Sequence, residues 1–144
     1  MRLPIQRLDP AATIPTRAHS GDAGLDLTAL HAVSIPRGTH RAVRTGIAVG
    51  IPFGHVGDVR PRSGLAARHG LTVLNSPGTI DHGYTGEIIV LLANLTGSTT
   101  ATIAAGDRIA QLLITPIAYA TPLVVDALPD SARAAGGFGS TGRQ

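Results

Sequence analysis

Hydrophobic residues in this chain occur in short runs that are separated by glycine, proline and small polar residues. The longest stretch without glycine or proline, Leu25 to Ile35, is shorter than an average helix of about 12 residues. Runs of β-branched or alternating apolar residues recur at Val33 to Ile35, Ala42 to Ile51, Val56 to Val59, Leu71 to Leu74, Ile88 to Leu95, Thr99 to Ile103, Ile109 to Ile114 and Leu123 to Val125. Their spacing is typical of a β-sandwich or jelly roll. We therefore predict an all-β fold.

One short helix is expected among these strands, from Ser63 to His69. Ser63 is a favourable N-cap residue, because its hydroxyl can accept a hydrogen bond from a backbone N–H of the first turn. Gly70 suits the position that ends many helices in a left-handed conformation. After Val125 the sequence becomes small, polar and glycine-rich. We therefore expect a β domain over residues 1–125 and a flexible C-terminal arm over residues 126–144.

The segment from Asn75 to Glu87, with the sequence NSPGTIDHGYTGE, is the strongest candidate for a functional site. It contains one proline and three glycines, which favour tight turns. Strand-like runs flank it, from Leu71 to Leu74 and from Glu87 to Leu95, so the segment is predicted to close a hairpin. Asp81 and Tyr84 would stand at the mouth of this hairpin, and functional side chains often lie on loops held by a rigid scaffold.

Composition narrows the possible partners. A length of 144 residues fits one domain, and the lack of cysteine excludes disulfides, thiolate metal sites and thiol nucleophiles. Charged residues make up 15% of the chain, against about 25% in typical proteins, which favours a homo-oligomer that covers part of the surface. All twelve basic residues are arginine, but they form no basic run, and aromatic residues are only 3%. Nucleic-acid binding is therefore not expected.

Membrane association is not expected either. The longest apolar run, Ile88 to Ala93, is far shorter than the roughly 20 residues that a membrane-spanning helix needs. The N-terminal sequence MRLPIQRLDP has no hydrophobic core of the kind found in signal peptides. We therefore expect a cytoplasmic protein.

Two further segments suggest a phosphorylated ligand, each with a simpler alternative. The segment PRSGLA, Pro61 to Ala66, would place Arg62, Ser63 and the backbone N–H of Gly64 at a helix start, where phosphate groups bind well. The alternative is that this sequence forms an ordinary capped helix with no role in phosphate binding. The tail GFGSTG, Gly137 to Gly142, matches a glycine-loop pattern, but no strand closely precedes it and no helix follows. It is either a lid over a phosphorylated ligand or a disordered tail.

The histidines and the single glutamate complete the candidates. Six histidines are present without zinc-ligand spacing, which favours surface positions. His82 beside Asp81 suggests a triad with Ser63, but the G-x-S-x-G motif of such enzymes is missing. Glu87 could partner Asp81 or could simply end a turn.

Five stretches in order resemble the five motifs of the homotrimeric deoxyuridine triphosphatases (dUTPases), and together they span nearly the whole chain. They are AGLDL at Ala23 to Leu27, PRSGLA at Pro61 to Ala66, GTIDHGYTGEI at Gly78 to Ile88, GDRIAQLLI at Gly106 to Ile114 and GGFGSTG at Gly136 to Gly142. The resemblance implies a distorted, jelly-roll-like β-barrel that forms a homotrimer with active sites at its subunit interfaces. It also implies hydrolysis of dUTP to dUMP and pyrophosphate, which limits uracil incorporation into DNA and supplies dUMP for dTMP synthesis.

The resemblance also implies roles for individual residues. Asp81 would orient and deprotonate the water that attacks the α-phosphorus, and a positioned base typically contributes about 10²–10⁴-fold. Tyr84 would pack on the sugar and exclude a 2′-hydroxyl. The uracil edge would be read, and a 5-methyl group excluded, by Asn75, Thr79, Ile80, Asp81 and Ile89.

Phosphate binding and the cofactor are implied in the same way. Phosphate contacts would come from Arg62, Ser63, Gly64 and Gln111. On the arm, Phe138 would stack over the base, and the remaining contacts would come from Arg133, Gly139, Ser140 and Thr141. Magnesium would be held mainly by the substrate phosphates, with Asp26 acting through water. This chain has Ala134 where glycine commonly follows the arginine of the fifth motif.

Two alternatives to a dUTPase remain. A dCTP deaminase shares the fold but uses a glutamate on the strand after the hairpin, where this chain has Leu91. A non-catalytic nucleotide sensor could use the same trimer, although an intact Asp81 disfavours that alternative. Release of pyrophosphate from dUTP would separate the enzyme from the sensor.

Overall fold

The computed structural model describes residues 1–95, 99–131 and 134–135, and these residues form mostly short β-strands. Their elements, in chain order, are β1 (Ile5–Arg7), β2 (Leu25–Thr28), β3 (Val33–Ile35), β4 (His40–Arg44), β5 (Ile47–Val49), β6 (His55–Pro61), α1 (Ser63–His69), β7 (Leu71–Val73), β8 (Gly78–Ile80), β9 (Ile89–Asn94), β10 (Ala101–Ile103) and β11 (Arg108–Pro116). The predicted all-β fold with one short helix is confirmed. None of the described helical residues could form a span long and apolar enough to cross a membrane.

The strands pair antiparallel in four sheets. The largest sheet has the order β2-β11-β6-β8, and a second has the order β4-β9-β7. Two small sheets, β1-β5 and β10-β3, complete the distorted barrel. Strand β11 is nine residues long and pairs with β2 on one side and β6 on the other. It therefore connects elements that are far apart in the sequence.

The core lies between the sheets and consists of aliphatic side chains. The largest of its fully buried hydrophobic members are Leu27, Ile35, Ile47, Ile88, Leu92, Ile109, Leu112, Val49 and Val90. Burial of each such side chain stabilises the fold by about 1.5–3 kcal/mol relative to leaving it exposed. Because these residues come from both large sheets, the same core holds the two sheets together.

The predicted hairpin is confirmed, and it is part of two sheets. Strands β7 and β9 pair from Leu71 opposite Asn94 to Val73 opposite Leu92. Between them, the short strand β8 leaves the hairpin and pairs with β6 in the other large sheet. Asp81 directly follows β8, so its backbone is fixed by the large sheet as well as by the hairpin.

Several sequence-based strand predictions differ from the structure. The run from Ala42 to Ile51 contains two strands, because Gly46 adopts a φ of 72° between β4 and β5. Strands β1, β2 and β8 were not predicted, since three or four residues are too few to show a clear alternation. The predicted strand from Leu123 to Val125 is wrong. Leu123 and Val124 are 83% and 96% exposed and have no regular secondary structure.

The predicted N-cap is also wrong by one residue. Helix α1 starts at Ser63, and Arg62 occupies the N-cap position with an extended backbone and no side-chain capping bond. The predicted C-terminal glycine is correct, because Gly70 is left-handed and its N–H donates to carbonyls of the last turn. The hydroxyl of Ser63 is therefore not committed to the cap, although it remains at the helix start.

Gly57 provides a test of how closely β8 packs on β6. A β-carbon built on Gly57 would lie 2.8 Å from Ile51 Cδ1 and 3.1 Å from the β-carbon of Ile80, and such overpacking costs about 1–3 kcal/mol. We expect Gly57→Ala to lower the free energy of unfolding, measured in urea, by that amount. The control is Gly21→Ala, because Gly21 has no atom within 4 Å of such a carbon. Equal stability of the two variants would contradict the close packing.

Candidate active site

A pocket of about 490 Å³ lies between the β7–β9 hairpin and strand β8. It is lined by Ala42, Val59, Val73, Asn75, Gly78, Thr79, Ile80, Asp81, Tyr84, Glu87, Ile89, Val90 and Leu91. Its volume is within the usual range for small-molecule sites, which is about 300–1,000 Å³. Apart from Phe138 of the arm, the residues that are predicted to bind the base and sugar therefore line one pocket together with Asp81.

The wall formed by β8 offers backbone hydrogen-bonding groups. Within the part of the chain that the structure describes, β8 pairs with β6 alone and is therefore an edge strand of its sheet. Along an edge strand, alternate backbone N–H and C=O groups point away from the neighbouring strand and stay free to bind another partner. The opposite walls are apolar, with Val73, Val90 and Leu91. A flat, apolar ring with donors and acceptors on one edge, such as a pyrimidine, matches this arrangement.

Asp81 and Tyr84 are joined by a tight turn at the mouth of the pocket. The N–H of Tyr84 donates to the carbonyl of Asp81 at 3.2 Å. Gly83, the third residue of this turn, has a φ of 86°, which favours glycine because it has no β-carbon. Both end residues of the turn are exposed. The turn therefore presents a carboxylate and an aromatic ring side by side to a ligand in the pocket.

The Tyr84 ring is held by the rest of the third motif. Its hydroxyl donates to the carbonyl of Glu87 at 3.0 Å. A β-carbon built on Gly86 would lie 2.5 Å from that hydroxyl oxygen and 2.6 Å from Cζ, so a side chain at this position would displace the ring. The glycine of the YTGE sequence is thus needed for close approach of the ring.

Glu87 anchors the hairpin and does not partner Asp81. Its carboxylate accepts bonds from Nε of Arg44 at 2.9 and 3.2 Å and from the N–H of Gly46 at 2.7 Å. Nearby, Thr45 Oγ1 donates to the buried carbonyl of Ile88 at 2.6 Å. These bonds attach the C-terminal side of the site to the β4–β5 turn. Glu87 therefore does more than end a turn, because its carboxylate joins the hairpin to the β4–β5 turn.

A second, smaller pocket of about 270 Å³ lies at the start of α1. It is lined by Ala18, Asp22, Ala23, Gly24, Asp26, Arg62, Ser63, Gly64 and Gln111. The set contains the residues that were predicted to contact phosphate through the second and fourth motifs, and it contains Asp26. No pattern in the sequence singled out Ala18 or Asp22, which come from the loop before the first motif.

Asp26 in this pocket is held by two arginines. Its Oδ1 lies 3.2 Å from Nε of Arg62, and its Oδ2 lies 3.1 Å from Nη1 of Arg108. The Asp26 side chain is 18% exposed, so the carboxylate is largely enclosed between these guanidinium groups. Arg62 Nη1 also donates to the carbonyl of Arg108 at 3.2 Å. Arg62 is thereby fixed at the edge of the pocket.

Gln111 connects the first and second motifs across the sheet. It lies opposite Asp26 on β2 and opposite Arg60 on β6. Its Nε2 donates to the carbonyl of Pro61 at 3.0 Å. A β-carbon on Gly24 would come within 2.5 Å of Gln111 Oε1, which explains the glycine of AGLDL as a requirement for close packing.

The two pockets lie at opposite ends of β6 and share no lining residue. Asp81 follows Ile80, which pairs with Gly57 near the start of β6, whereas Arg62 follows the last residue of that strand. The five residue-to-residue steps from Gly57 to Arg62 span about 17 Å at the usual rise of a strand. The structure therefore brings the predicted residues together in two groups, and it does not bring those groups together within one chain.

The predicted residues of the arm have a different status. Arg133, Phe138, Gly139, Ser140 and Thr141 lie outside the described residues. Ala134 is described, and it has a φ of 41°, in the left-handed region that favours glycine. Its N–H donates to Oγ of Ser131 at 3.1 Å. The residue that replaces the usual glycine thus adopts a backbone conformation suited to glycine.

Sequence reasoning missed the apolar walls of the larger pocket. Val59, Val73 and Val90 line it but are also members of the buried core, so their hydrophobicity alone gave no functional signal. Ala42 comes from β4, which is distant from the hairpin in sequence but pairs with β9. Only the pairing of the strands places these residues at the pocket.

Comparison with known sequences shows one consistent similarity. A family model described as dUTPase matches residues 10–142 of the chain. The deoxyuridine 5'-triphosphate nucleotidohydrolase of Thermobifida fusca is 54% identical over 142 residues, which cover 99% of this chain and 79% of the relative. The protein of the same name from Gloeobacter violaceus is 53% identical over 144 residues, which cover 99% of this chain and 97% of the relative.

Solved structures show the same similarity. A mutant dUTPase of Staphylococcus bacteriophage 80alpha, solved with dUpNHpp, matches with a TM-score of 0.91 and 28% identity, covering 98% of both chains. A mutant dUTPase from phage phi11 of S. aureus matches with a TM-score of 0.83 and 26% identity, covering 90% of this chain and 100% of that one. The latter structure is described as revealing the coordination of a structural Mg(II) ion.

The anchoring of the hairpin by Glu87 can be tested by comparing two truncations. Glu87→Ala leaves the N–H of Gly46 without its acceptor, so we expect the free energy of unfolding to fall by about 1–3 kcal/mol. Arg44→Ala should cost at most about 1 kcal/mol, because the Arg44 side chain is 52% exposed and its ion pair is screened. Urea unfolding of both variants measures the difference. A larger loss in Arg44→Ala would show that the ion pair is the main anchor.

Proposed function

The chain belongs to the dUTPase family and is a dUTP-hydrolysing enzyme, and we propose that Asp81 activates the water that releases dUMP and pyrophosphate. The observation that carries this proposal is the position of Asp81 at the mouth of the 490 Å³ pocket, beside Tyr84. Water at neutral pH is a poor nucleophile, so a positioned carboxylate accelerates the reaction by orienting the water and accepting a proton from it. The bond from the α-phosphorus to the bridging oxygen breaks, and pyrophosphate leaves.

Selection of the substrate follows from the walls of the pocket. The free edge of β8 supplies backbone donors and acceptors for the uracil edge, while the apolar walls enclose its faces. We infer that the slot between β8 and the hairpin is too narrow to admit a 5-methyl group on a base bound to that edge. Tyr84 packs against the sugar, where a 2′-hydroxyl would clash. We propose that these features together select deoxyuridine over thymidine and uridine nucleotides.

The lining of the pocket disfavours deamination. Its two carboxylates are Asp81 and Glu87, and Glu87 is engaged by Arg44 and Gly46. Leu91, at the position where a deaminase would have its glutamate, contributes only an apolar wall. With one available carboxylate, the pocket supports activation of a water but not the proton shuttling at the base that deamination requires.

Magnesium fits the second pocket through water and not through direct ligands. Both oxygens of Asp26 face guanidinium groups, so a direct bond to the ion would break an ion pair. Among the described residues, no cluster of three or more histidine, aspartate or glutamate side chains could hold a metal ion. An ion carried by the triphosphate would neutralise its charge, with Asp26 bonded to the water shell. Arg62, Ser63, Gly64 and Gln111 would hold the phosphates themselves.

We propose that the enzyme is a homotrimer whose sites each combine pockets from two subunits. Within one chain, the positions of Asp81 and Arg62 along β6 differ by about 17 Å at the usual rise of a strand, which is longer than a triphosphate. This separation supports a site in which the two residues come from different subunits. The segment after β11 also exposes large apolar residues, including Leu123, Val124 and Leu128 at 83%, 96% and 83%. Such exposure is typical of a surface that a partner covers.

The C-terminal arm is the remaining part of the proposal. We infer that residues 126–144 close over the site, with Phe138 on the base and Arg133, Gly139, Ser140 and Thr141 on the phosphates. Closure would exclude water other than the nucleophile and hold the triphosphate in line for attack. The cytoplasmic location stays a prediction.

The activity is tested by measuring pyrophosphate release from each deoxynucleoside triphosphate in the presence of Mg²⁺. We expect turnover of dUTP with little turnover of the others. Asp81→Asn keeps the shape of the pocket but removes the base, so kcat should fall by about 10²–10⁴-fold while dUTP still binds. Binding of dUTP without turnover by the unaltered protein would indicate a sensor. An unchanged kcat in Asp81→Asn would remove Asp81 from the mechanism.

The shared site is tested by mixing two variants that are each expected to be inactive, Asp81→Asn and Arg62→Gln. In a randomly mixed trimer, about a quarter of the sites would combine an intact Asp81 from one subunit with an intact Arg62 from another, so about a quarter of the activity should return. The mixture is refolded together, and its mass is checked by light scattering. The control is the same pair mixed after separate refolding, without subunit exchange. No recovery in a confirmed mixed trimer would place both residues in one subunit's site.

A further inference from the structure

The turn that carries Asp81 has an anchor that lies outside the residues assigned so far. We propose that His82 is a positioning residue, which fixes the direction of the Asp81 carboxylate by binding the carbonyl of Ile51. This inference rests on the proposed role of Asp81 as the base. His82 is exposed to solvent, but its ring is hydrogen-bonded to the loop after β5.

The hydrogen bond is short and its acceptor is rigid. His82 Nδ1 lies 2.7 Å from the carbonyl oxygen of Ile51. A carbonyl oxygen only accepts hydrogen bonds, so Nδ1 must carry the proton and act as the donor. Ile51 is 2% exposed and belongs to the core cluster. The turn is therefore tied to a part of the backbone that the core holds in place.

Aromatic packing restricts the ring further. Phe53 meets the His82 ring edge to face, with centroids 5.7 Å apart and an interplanar angle of 84°. Phe53 in turn stacks on Tyr119 at 5.2 Å and 22°. Edge-to-face and offset-stacked arrangements are the favourable geometries for aromatic rings. Phe53, supported by Tyr119, thus packs against the imidazole in the orientation that its hydrogen bond requires.

The location of this anchor in the turn makes it relevant to Asp81. On the N-terminal side, Asp81 is fixed by β8, where Ile80 pairs with Gly57. On the C-terminal side, the exposed turn is closed by one 3.2 Å bond from the N–H of Tyr84 to the carbonyl of Asp81. The turn also contains Gly83, and glycine restricts the backbone less than other residues do. His82 lies between these two parts. Its bond prevents the peptide after Asp81 from rotating.

Small rotations of the peptide after Asp81 would move its carboxylate and so lower the rate of the reaction. Catalytic groups need to be held within about 0.5 Å of the productive geometry. A displacement of about 1 Å can cost about 10²-fold in rate, even when binding is intact. Most of the pocket lining comes from strands outside the turn, and only Asp81 and Tyr84 come from the turn itself. Loosening the turn should therefore reduce kcat by a larger factor than it raises the KM for dUTP.

Three substitutions of His82 separate the donor from the bulk of the ring. Asparagine carries its amide nitrogen the same number of bonds from Cα as Nδ1, so His82→Asn can keep the bond to Ile51. His82→Leu keeps apolar volume beside Phe53 but has no donor, and His82→Ala has neither. We expect kcat to fall by about 10- to 100-fold in His82→Leu and His82→Ala, and His82→Asn to recover most of it. His31→Ala, which alters an exposed histidine outside both pockets, is the control.

A double substitution separates this inference from the role of Asp81 itself. If His82 acts through Asp81, adding His82→Leu to Asp81→Asn should cause little further loss of kcat. Thermal unfolding of every variant confirms that the measured chains are folded. Equal kcat in His82→Asn and His82→Leu, or the same loss of kcat in the Asp81→Asn background, would overturn the positioning role. An unchanged kcat in Asp81→Asn alone would instead overturn the proposed function.

Discussion

The antiparallel ladder between β6 and β11 is the interaction on which both pockets depend. It runs from Ala110 opposite Pro61 to Pro116 opposite His55. The free side of β11 pairs with β2, and the free side of β6 pairs with β8. One end of the ladder therefore places Asp26 and Gln111 beside the start of α1, while the other end delivers β8 to the turn with Asp81. A slip of one residue would turn the side chains of β6 to the wrong face.

The base pocket needs a second support, because the hairpin that forms its other wall belongs to a different sheet. Glu87 supplies this support by binding both Arg44 and the backbone of Gly46. The bond to the backbone is the more important of the two, since the ion pair is half exposed and an unsatisfied N–H is costly. Tyr84 depends on the same segment, because its hydroxyl binds the carbonyl of Glu87. The aromatic ring, the carboxylate turn and the pocket wall are thus fixed together.

The separation of the two pockets is consistent with the homo-oligomer that the composition favours. A single subunit holds the pocket proposed for the nucleoside and the pocket proposed for the phosphates, and the two lie toward opposite ends of β6. The proposed sharing of a site between subunits would use both pockets, and it would also cover the exposed apolar residues after β11. The low charge content of 15% is consistent with that arrangement.

The fold class, the short helix, the hairpin and the polar residues that line the pocket beside Asp81 could be predicted from the sequence. These features are local in the sequence. Frequent glycine and proline exclude long helices, Gly83 allows the turn from Asp81 to Tyr84, and Gly86 leaves room for the Tyr84 ring. Only the three-dimensional structure shows that Ala42 and Val59 line the pocket beside Asp81, that Glu87 binds Gly46, and that His82 is hydrogen-bonded to Ile51. Each of these contacts joins segments that are distant in sequence. Strand pairing and register bring such segments together, and neither can be deduced from a run of three or four residues.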